Sequence, residues 1–200
     1  MADKLKYVVI VLFFLLCIYS HDEKIERYYT TISTEDDMTL LNSSIFLDDG
    51  VSETAVKRVE TEIQRLPTKL WKQYLLNDGK IRIVADDIVS NDERFVGSFS
   101  ILDDMTMEIV VNEKYIEYSL CHEFTHYLFY IDRVLEKENY YLLLQEKEEL
   151  WRDLLRSEKY FYTESEYFAE VGKNYFKGLI NEEKYPNTVK FLDTIIEEYS

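Results

Sequence analysis

The sequence predicts an α+β fold in which the first half of the chain forms a small mixed β-sheet and a helical region follows. Residues 43–85 have the order strand, helix, strand, which is typical of a βαβ unit with parallel strands. Two further β-like segments on either side of Asp103-Asp104 predict an antiparallel hairpin. The pattern is helical from Lys114 onward. The chain has 200 residues, 46% of them hydrophobic and 31% charged, which suits a single globular domain.

The βαβ unit is bounded by two short apolar segments. SSIFL, residues 43–47, predicts the first strand, and KIRIVA, residues 80–85, predicts the second. Between them, Ser52 can cap a helix whose apolar positions repeat with helical spacing. Pro67 suits the first turn of a second short helix.

The hairpin consists of RFVGSFSIL and MTMEIVVN. The first of these segments contains Gly97, Ser98 and Phe99, and it is either an edge strand or a covered structural strand. On an edge strand, Gly97 and its small neighbours would let an extended peptide substrate approach closely and add to the sheet. The helices that follow are predicted at residues 114–132, about 138–157, 163–180 and 187–198.

The net charge of the chain excludes one large class of partner. It is -16 at pH 7, whereas nucleic-acid binding needs a clustered basic surface. A solvated acidic surface is the simplest interpretation of this charge. We therefore expect no nucleic-acid partner.

The N-terminus resembles an export signal. Two lysines precede an apolar run at residues 7–19, and polar residues follow it. The run is shorter than the ~18 residues expected for a spanning helix. Residues 1–20 are therefore predicted to be a signal peptide or an uncleaved N-terminal membrane anchor, with 21–39 as a polar tether and 40–200 as the folded domain. The protein would be secreted, or tethered through 7–19 on the outer side of a bacterial cytoplasmic membrane.

The segment His122-Glu123-x-x-His126 is a motif that can bind a metal ion. Residues four apart lie on one face of a helix, so both imidazoles can reach the same cation. Zinc with three protein ligands keeps a fourth position for water, whose pKa falls to about 7. Glu123 would take the proton of that water as general base. Such a site requires a third protein ligand.

Two downstream glutamates are candidates for the third ligand. Glu166 and Glu170 are four apart on a predicted helix and so share a face. One could coordinate zinc while the other supports a ligand by hydrogen bonding. Thr163-x-x-Glu166 is also a capping box, in which Glu166 only reaches back to the Thr163 backbone. The spacing by itself leaves both interpretations open.

The combination of HEFTH with ESEYFAE some forty residues later resembles the catalytic domain of anthrax lethal factor and the secreted Pro-Pro endopeptidases of clostridia. The likeness in element order covers most of residues 40–198. HExxH is shared by many unrelated metallopeptidases, and the glutamate helix at this distance is far more specific.

The resemblance implies a role for each residue of the two motifs. The implied ligands of one Zn²⁺ per chain are His122, His126 and Glu166, with Glu123 as general base and Glu170 as the supporting carboxylate.

Such families also place a tyrosine before the glutamate helix, where its hydroxyl stabilises the oxyanion. The usual offset falls on Lys159 in this sequence. Tyr160 is therefore favoured for the role if the loop is one residue shorter, and Tyr162 is the alternative.

The sequence thus predicts an exported zinc-dependent endopeptidase that binds an extended peptide, with proline near the cut site as a further expectation. The first alternative is a non-catalytic cell-surface binding module with a vestigial or structural zinc site. The second is a helical protein without metal, in which the two histidines flank a solvated Glu123.

Overall fold

A four-stranded mixed sheet forms the first layer of the fold, as the sequence predicts. This computed structural model describes residues 34–85, 89–90, 93–94, 96–103, 105–155 and 163–199. The strands are β1 (Ile45–Leu47), β2 (Lys80–Val84), β3 (Val89–Ser90), β4 (Glu93–Arg94), β5 (Gly97–Ile101) and β6 (Met107–Asn112). The order across the sheet is β1-β2-β6-β5, and β3 pairs with β4 in a separate ribbon.

Helices supply the second layer, which confirms the α+β class. They are α1 (Thr34–Ser43), α2 (Thr54–Ile63), α3 (Thr68–Leu76), α4 (Ile116–Ile131), α5 (Tyr141–Gln145), α6 (Lys147–Leu150), α7 (Glu164–Phe176) and α8 (Pro186–Ile196). Short 3₁₀ turns lie at Glu113–Tyr115, Val134–Glu136 and Glu197–Tyr199, and a π-helical turn lies at Trp151–Leu155.

Residues 1–40 and 41–200 are two separate units of the chain. The described part of the first unit is the beginning of α1, so the end of the predicted tether at 21–39 is helical. The rest of that tether, and the signal or anchor predicted at 1–20, lie outside the described residues. None of the described helices has the length and apolar character needed to span a membrane.

The βαβ unit forms where its turn and cap residues predict it, although Glu53, one residue after Ser52, is at the N-cap position of α2. The Ser52 hydroxyl accepts a hydrogen bond from the Thr54 backbone N–H at 3.2 Å, at the start of α2. Pro67 immediately precedes α3. β1 then pairs with β2 in parallel, and β2 pairs with β6 in parallel. The predicted hairpin is also confirmed, because β5 pairs with β6 in the antiparallel direction.

α4 occupies the centre of the domain. It packs against β5 and β6 of the sheet and against α2, α3 and α7. Most of its residues are buried, including Leu120, Phe124 and Leu128. A helix held on so many sides has little freedom to rotate or shift, which fixes the direction of its remaining side chains.

The prediction of one continuous helix near 138–157 is wrong. The structure breaks it into α5, α6 and the π-helical turn, with a departure from helical geometry at Glu146 (φ -106°, ψ 2°). The carboxylate of Glu146 accepts hydrogen bonds from the backbone N–H groups of Asn187 and Thr188, at 3.0 and 2.9 Å. These N–H groups lie in the first turn of α8, so Glu146 caps a distant helix.

Gly172 allows α7 to approach α4 closely. A Cβ at Gly172 would lie 2.4 Å from Cγ2 of Thr125 and 2.9 Å from its Oγ1. Thr125 is fully buried and its hydroxyl donates to the Cys121 carbonyl at 2.7 Å, so it has little room to move. A glycine inside a helix usually costs about 1 kcal/mol relative to alanine. Here the close contact between helices gives a reason for it.

Gly172→Ala is therefore expected to destabilise the protein despite its better helix propensity. Overpacking a filled site typically costs about 1–3 kcal/mol, which exceeds the propensity gain of about 1 kcal/mol. Urea unfolding should show a free energy of unfolding lower by about 1–2 kcal/mol. Adding Thr125→Ser, which removes the obstructing methyl group, should restore part of the loss. A single variant as stable as the wild type would contradict this packing.

Candidate metal centre

His122 and His126 lie on the face of α4 that its neighbours leave partly open. Their side chains are 14% and 13% exposed, whereas Glu123 and Phe124 between them are buried. The two Nε2 atoms are 3.1 Å apart. The helical spacing thus brings both imidazoles to one point, as the sequence predicts.

Glu166 brings a carboxylate to the same point from the first turn of α7. Its Oε2 lies 3.3 Å from Nε2 of His122, and its Oε1 lies 3.4 Å from Nε2 of His126. Thr163 does cap the helix, because its hydroxyl accepts from the Glu166 backbone N–H at 3.2 Å. The carboxylate of Glu166, however, contacts the histidines. The Thr163 half of the capping box is therefore present, and the role of Glu166 as a zinc ligand stays a prediction.

The donor set has the size that zinc requires. Zinc–ligand distances of 2.0–2.2 Å in a tetrahedral site place the ligand atoms about 3.4 Å from one another. The three closest separations among His122, His126 and Glu166 are 3.1, 3.3 and 3.4 Å. Two imidazoles and one carboxylate also form a ligand set used by catalytic zinc. These residues could hold a divalent metal ion.

A second donor set overlaps with the first. Ligand atoms of His122, Glu123 and His126 all lie within 4.8 Å of one another and could hold a metal ion. The carboxylate of Glu166 contacts both histidines, with one oxygen 3.3 Å from Nε2 of His122 and the other 3.4 Å from Nε2 of His126. We therefore prefer Glu166 as the third donor, and this leaves Glu123 free to act on a bound molecule.

The histidines and carboxylates at the site shift one another's pKa values. Burial by itself would lower the pKa of His122, but the carboxylates of Glu166 and Glu170 outweigh it and raise that pKa to about 9. Contact with the two histidines lowers the pKa of Glu166 to about 2. A carboxylate that stays ionised can coordinate a cation over the whole neutral range.

Glu123 lies beside the histidine pair in a buried position. It is 4% exposed, and burial raises the pKa of its carboxyl group. The Ser119 hydroxyl donates to its Oε1 at 3.1 Å. The interpretation of Glu123 as a solvated carboxylate on an exposed helix face is therefore wrong. A buried carboxylate with a raised pKa is a better proton acceptor than a solvated one.

Further polar groups orient the two imidazoles from behind. Nδ1 of His126 is 2.8 Å from the Ser165 hydroxyl. Nδ1 of His122 is 3.3 Å from Oε2 of Glu170, which is within ion-pair distance when the imidazole is protonated, although the direction departs from hydrogen-bond geometry. The sequence pattern identified Glu170 but missed Ser165 and Ser119. Ser119 precedes Glu123 by four residues, so helical spacing could have indicated it.

β5 lies at the edge of the four-stranded sheet, which agrees with the first of the two alternatives for Gly97, Ser98 and Phe99. A Cβ at Gly97 would lie 2.8 Å from Oε1 of Glu123 and 2.1 Å from the Ser119 hydroxyl. The edge strand therefore passes directly beside Glu123. Its residues are half-buried. Only a glycine at this position leaves space for the carboxylate.

The tyrosines predicted to stabilise an oxyanion cannot be placed. Tyr160 and Tyr162 lie outside the described residues, and their role stays a prediction.

Comparisons with known proteins show a similarity to solved structures. No protein-family model and no curated protein matches the sequence. Among solved structures, the Pro-Pro endopeptidase from Paenibacillus alvei matches with a TM-score of 0.57 and 14% sequence identity. The match covers 78% of this chain and 99% of that one. The resemblance to the lethal factor domain stays a prediction. This chain is thus similar in fold to a Pro-Pro endopeptidase.

Proposed function

We propose that this protein is a zinc-dependent endopeptidase. The observation that carries the proposal is the convergence of His122, His126 and Glu166 within 3.4 Å of one another, with the buried Glu123 beside them. Zinc held by these three residues would polarise a peptide carbonyl and activate a water molecule. The similarity in fold to a Pro-Pro endopeptidase supports the same class of reaction.

Glu123 has the proton-transfer role in this proposal. Its carboxylate accepts a proton from the attacking water and passes it to the leaving amine. The Ser119 hydroxyl holds the carboxylate in place through Oε1, which leaves the second oxygen available. Burial raises the pKa of Glu123. It therefore stabilises the protonated carboxyl group, which holds the proton between its removal from water and its transfer to the amine.

The edge of β5 is the proposed binding site for the substrate backbone. An extended peptide can add to an edge strand through main-chain hydrogen bonds, and alternate side chains then face the enzyme. Gly97 lies next to Glu123, so a peptide paired with β5 passes close to the proton acceptor. The cut site would therefore lie opposite the Gly97 end of the strand.

The proposal is tested with the full chain in two measurements. Metal analysis should give one zinc per chain, and a mixed peptide library should be cut in a reaction that a chelator stops. A protein that binds zinc but cuts no peptide would overturn the proposed enzymatic activity and favour the binding-module alternative. A protein that retains no zinc would overturn the metal site itself.

Proline near the cut site is the proposed substrate preference. It is supported by the sequence resemblance and by the name of the similar structure, a Pro-Pro endopeptidase. The cleaved peptides of the library should show enrichment of proline at positions flanking the cut. Equal frequencies of proline in cut and uncut peptides would exclude this preference and leave the peptidase intact.

Export to the outer side of a bacterial membrane is also a proposal. Its support is the sequence of residues 1–20, with two lysines before a short apolar run. N-terminal sequencing of protein recovered outside the cytoplasm would distinguish a cleaved signal from a retained anchor. Protein found only in the cytoplasmic fraction would contradict export.

Gly97→Ala is expected to slow cleavage without removing zinc. The added methyl group would collide with the Ser119 hydroxyl and Oε1 of Glu123, and so displace the proton acceptor. A misplacement of about 1 Å can cost on the order of 10²-fold in rate, and we expect a kcat lower by about 10- to 100-fold. Steady-state kinetics and metal analysis of the purified variant give both quantities.

Two further variants control this measurement. Thr61→Ala, a change of similar size at an exposed position on α2, should keep the wild-type kcat. Adding Ser119→Ala to Gly97→Ala makes space beside the new methyl group and should recover part of the rate. A Gly97→Ala protein with unchanged kcat would refute the contact between the edge strand and Glu123.

A further inference from the structure

Lys173 is a buried cation on the same helix as the two glutamates. The residue is 3% exposed, although lysine is among the residue types least often buried. Its Nζ lies 2.5 Å from Oε1 of Glu170, three residues earlier on α7. A buried ammonium group requires such a partner, because desolvation of an unpaired charge is strongly unfavourable.

The carboxylate of Glu170 connects Lys173 to His122. Oε1 of Glu170 accepts from Lys173, and Oε2 of the same carboxylate lies 3.3 Å from Nδ1 of His122. The Asn174 side chain also donates to the Glu170 backbone carbonyl at 2.7 Å. The two oxygens of one buried carboxylate thus face a lysine on one side and an imidazole on the other.

Lys173 also offsets the negative charge that gathers at this site. The two histidines are surrounded by three carboxylates, those of Glu123, Glu166 and Glu170. Glu170 is 6% exposed, and without a cation beside it the carboxylate would be an unpaired buried charge. Turning toward solvent would relieve that cost and would move the carboxylate away from Nδ1 of His122.

The ring of Tyr118 covers the ammonium group. Nζ of Lys173 lies 3.8 Å from the centroid of this ring, within the range of a cation–π contact. Tyr118 precedes His122 by one turn of α4 and is itself about half exposed. The cation is therefore held between the two helices that carry the candidate metal donors.

We infer that Lys173 is a positioning residue that fixes Glu170 against His122 and thereby sets the affinity of the site for zinc. The inference rests on the proposed function for the identity of the metal. Partners behind a metal ligand typically change affinity by about 10- to 100-fold when they are removed.

The test compares the zinc dissociation constants of four full-length proteins: the wild type, Glu170→Gln, Lys173→Met and the double variant. Competition with a chromophoric chelator at one pH gives each value. Both single variants should bind zinc about 10- to 100-fold more weakly. The double variant should be no weaker than Glu170→Gln, because Lys173 acts through Glu170.

A general structural role for Lys173 would give a different result. In that case Lys173→Met would weaken zinc binding by the same factor in the wild type and in Glu170→Gln. That outcome would overturn the inference. Should Lys173→Met fail to fold, the double variant decides: a dissociation constant within about twofold of Glu170→Gln supports the coupling, and a further tenfold loss refutes it.

A charge-matched control separates local from long-range electrostatics. Lys190→Met removes one positive charge at an exposed position on α8 and should leave the zinc affinity unchanged. A wild-type protein that binds no zinc would overturn the proposed function. A wild type that binds zinc with the same affinity as Lys173→Met would overturn only the inference about Lys173.

Discussion

Glu123→Gln should abolish peptide cleavage while the protein keeps one zinc per chain. The substitution preserves the shape of a side chain that is 4% exposed, and it removes the proton acceptor next to the histidine pair. General acid–base catalysis typically contributes 10²–10⁴-fold, so we expect kcat to fall by about 10³-fold or more. Initial rates on a cleaved peptide and metal analysis of the same sample measure both properties.

The matched control for this variant is Glu117→Gln on the same helix. Glu117 is half exposed and binds Arg58 at the surface, where an ion pair contributes about 0–1 kcal/mol at most. Its substitution should leave the rate near that of the wild type. Retained cleavage in Glu123→Gln would refute the assigned base.

The same experiment separates the two overlapping donor sets. Glu166→Gln should lose zinc if Glu166 is the third ligand, and Glu123→Gln should retain it. The opposite result would assign Glu123 to the metal and leave the site without its proposed base.

His126→Ala should lose both zinc and cleavage. It removes one of three donors whose atoms lie within 3.4 Å of one another, and two donors cannot fill the positions of a stable zinc site. After dialysis against metal-free buffer, metal analysis should find well under one zinc per chain, and the rate should fall to background. Its circular dichroism spectrum should stay close to that of the wild type, because the side chain lies at the partly open face of α4.

His21→Ala is the matched histidine control for this variant. His21 is the third histidine of the chain and lies outside the described residues. Its substitution should change neither zinc content nor rate. An unchanged zinc content in His126→Ala would reject this metal centre, because the zinc would then be bound elsewhere in the protein.

Local sequence patterns were sufficient to predict most of the elements. The cap and turn residues around Ser52 and Pro67 defined the two helices of the βαβ unit, and the structure has α2 and α3 there. The α+β class, the parallel pairing of β1 with β2 and the antiparallel pairing of β5 with β6 are confirmed, whereas the parallel pairing of β2 with β6 is a feature that the sequence did not predict. The individual strands and helices depend on interactions within a few residues, which a sequence pattern records directly, and the order of these elements along the chain then indicates how neighbouring strands pair.

The break near Glu146 could not be predicted in this way. Nothing in YLLLQEKEELW differs from an ordinary helical pattern, and Glu146 is itself a good helix former. The helix is interrupted because the Glu146 carboxylate caps α8, which begins forty residues later at Pro186. A contact over that distance in sequence depends on the whole fold.

For the candidate site, the sequence by itself determined which side chains can act together within one helix. The spacing of His122 and His126, and that of Glu166 and Glu170, follows from 3.6 residues per helical turn. Only the tertiary structure decided that α4 and α7 meet with their donor atoms at one point, that Gly97 lies against Glu123, and that Lys173 is buried beside Glu170. Helical periodicity is a local property of the backbone, whereas the distance between two helices is set by packing of the whole core.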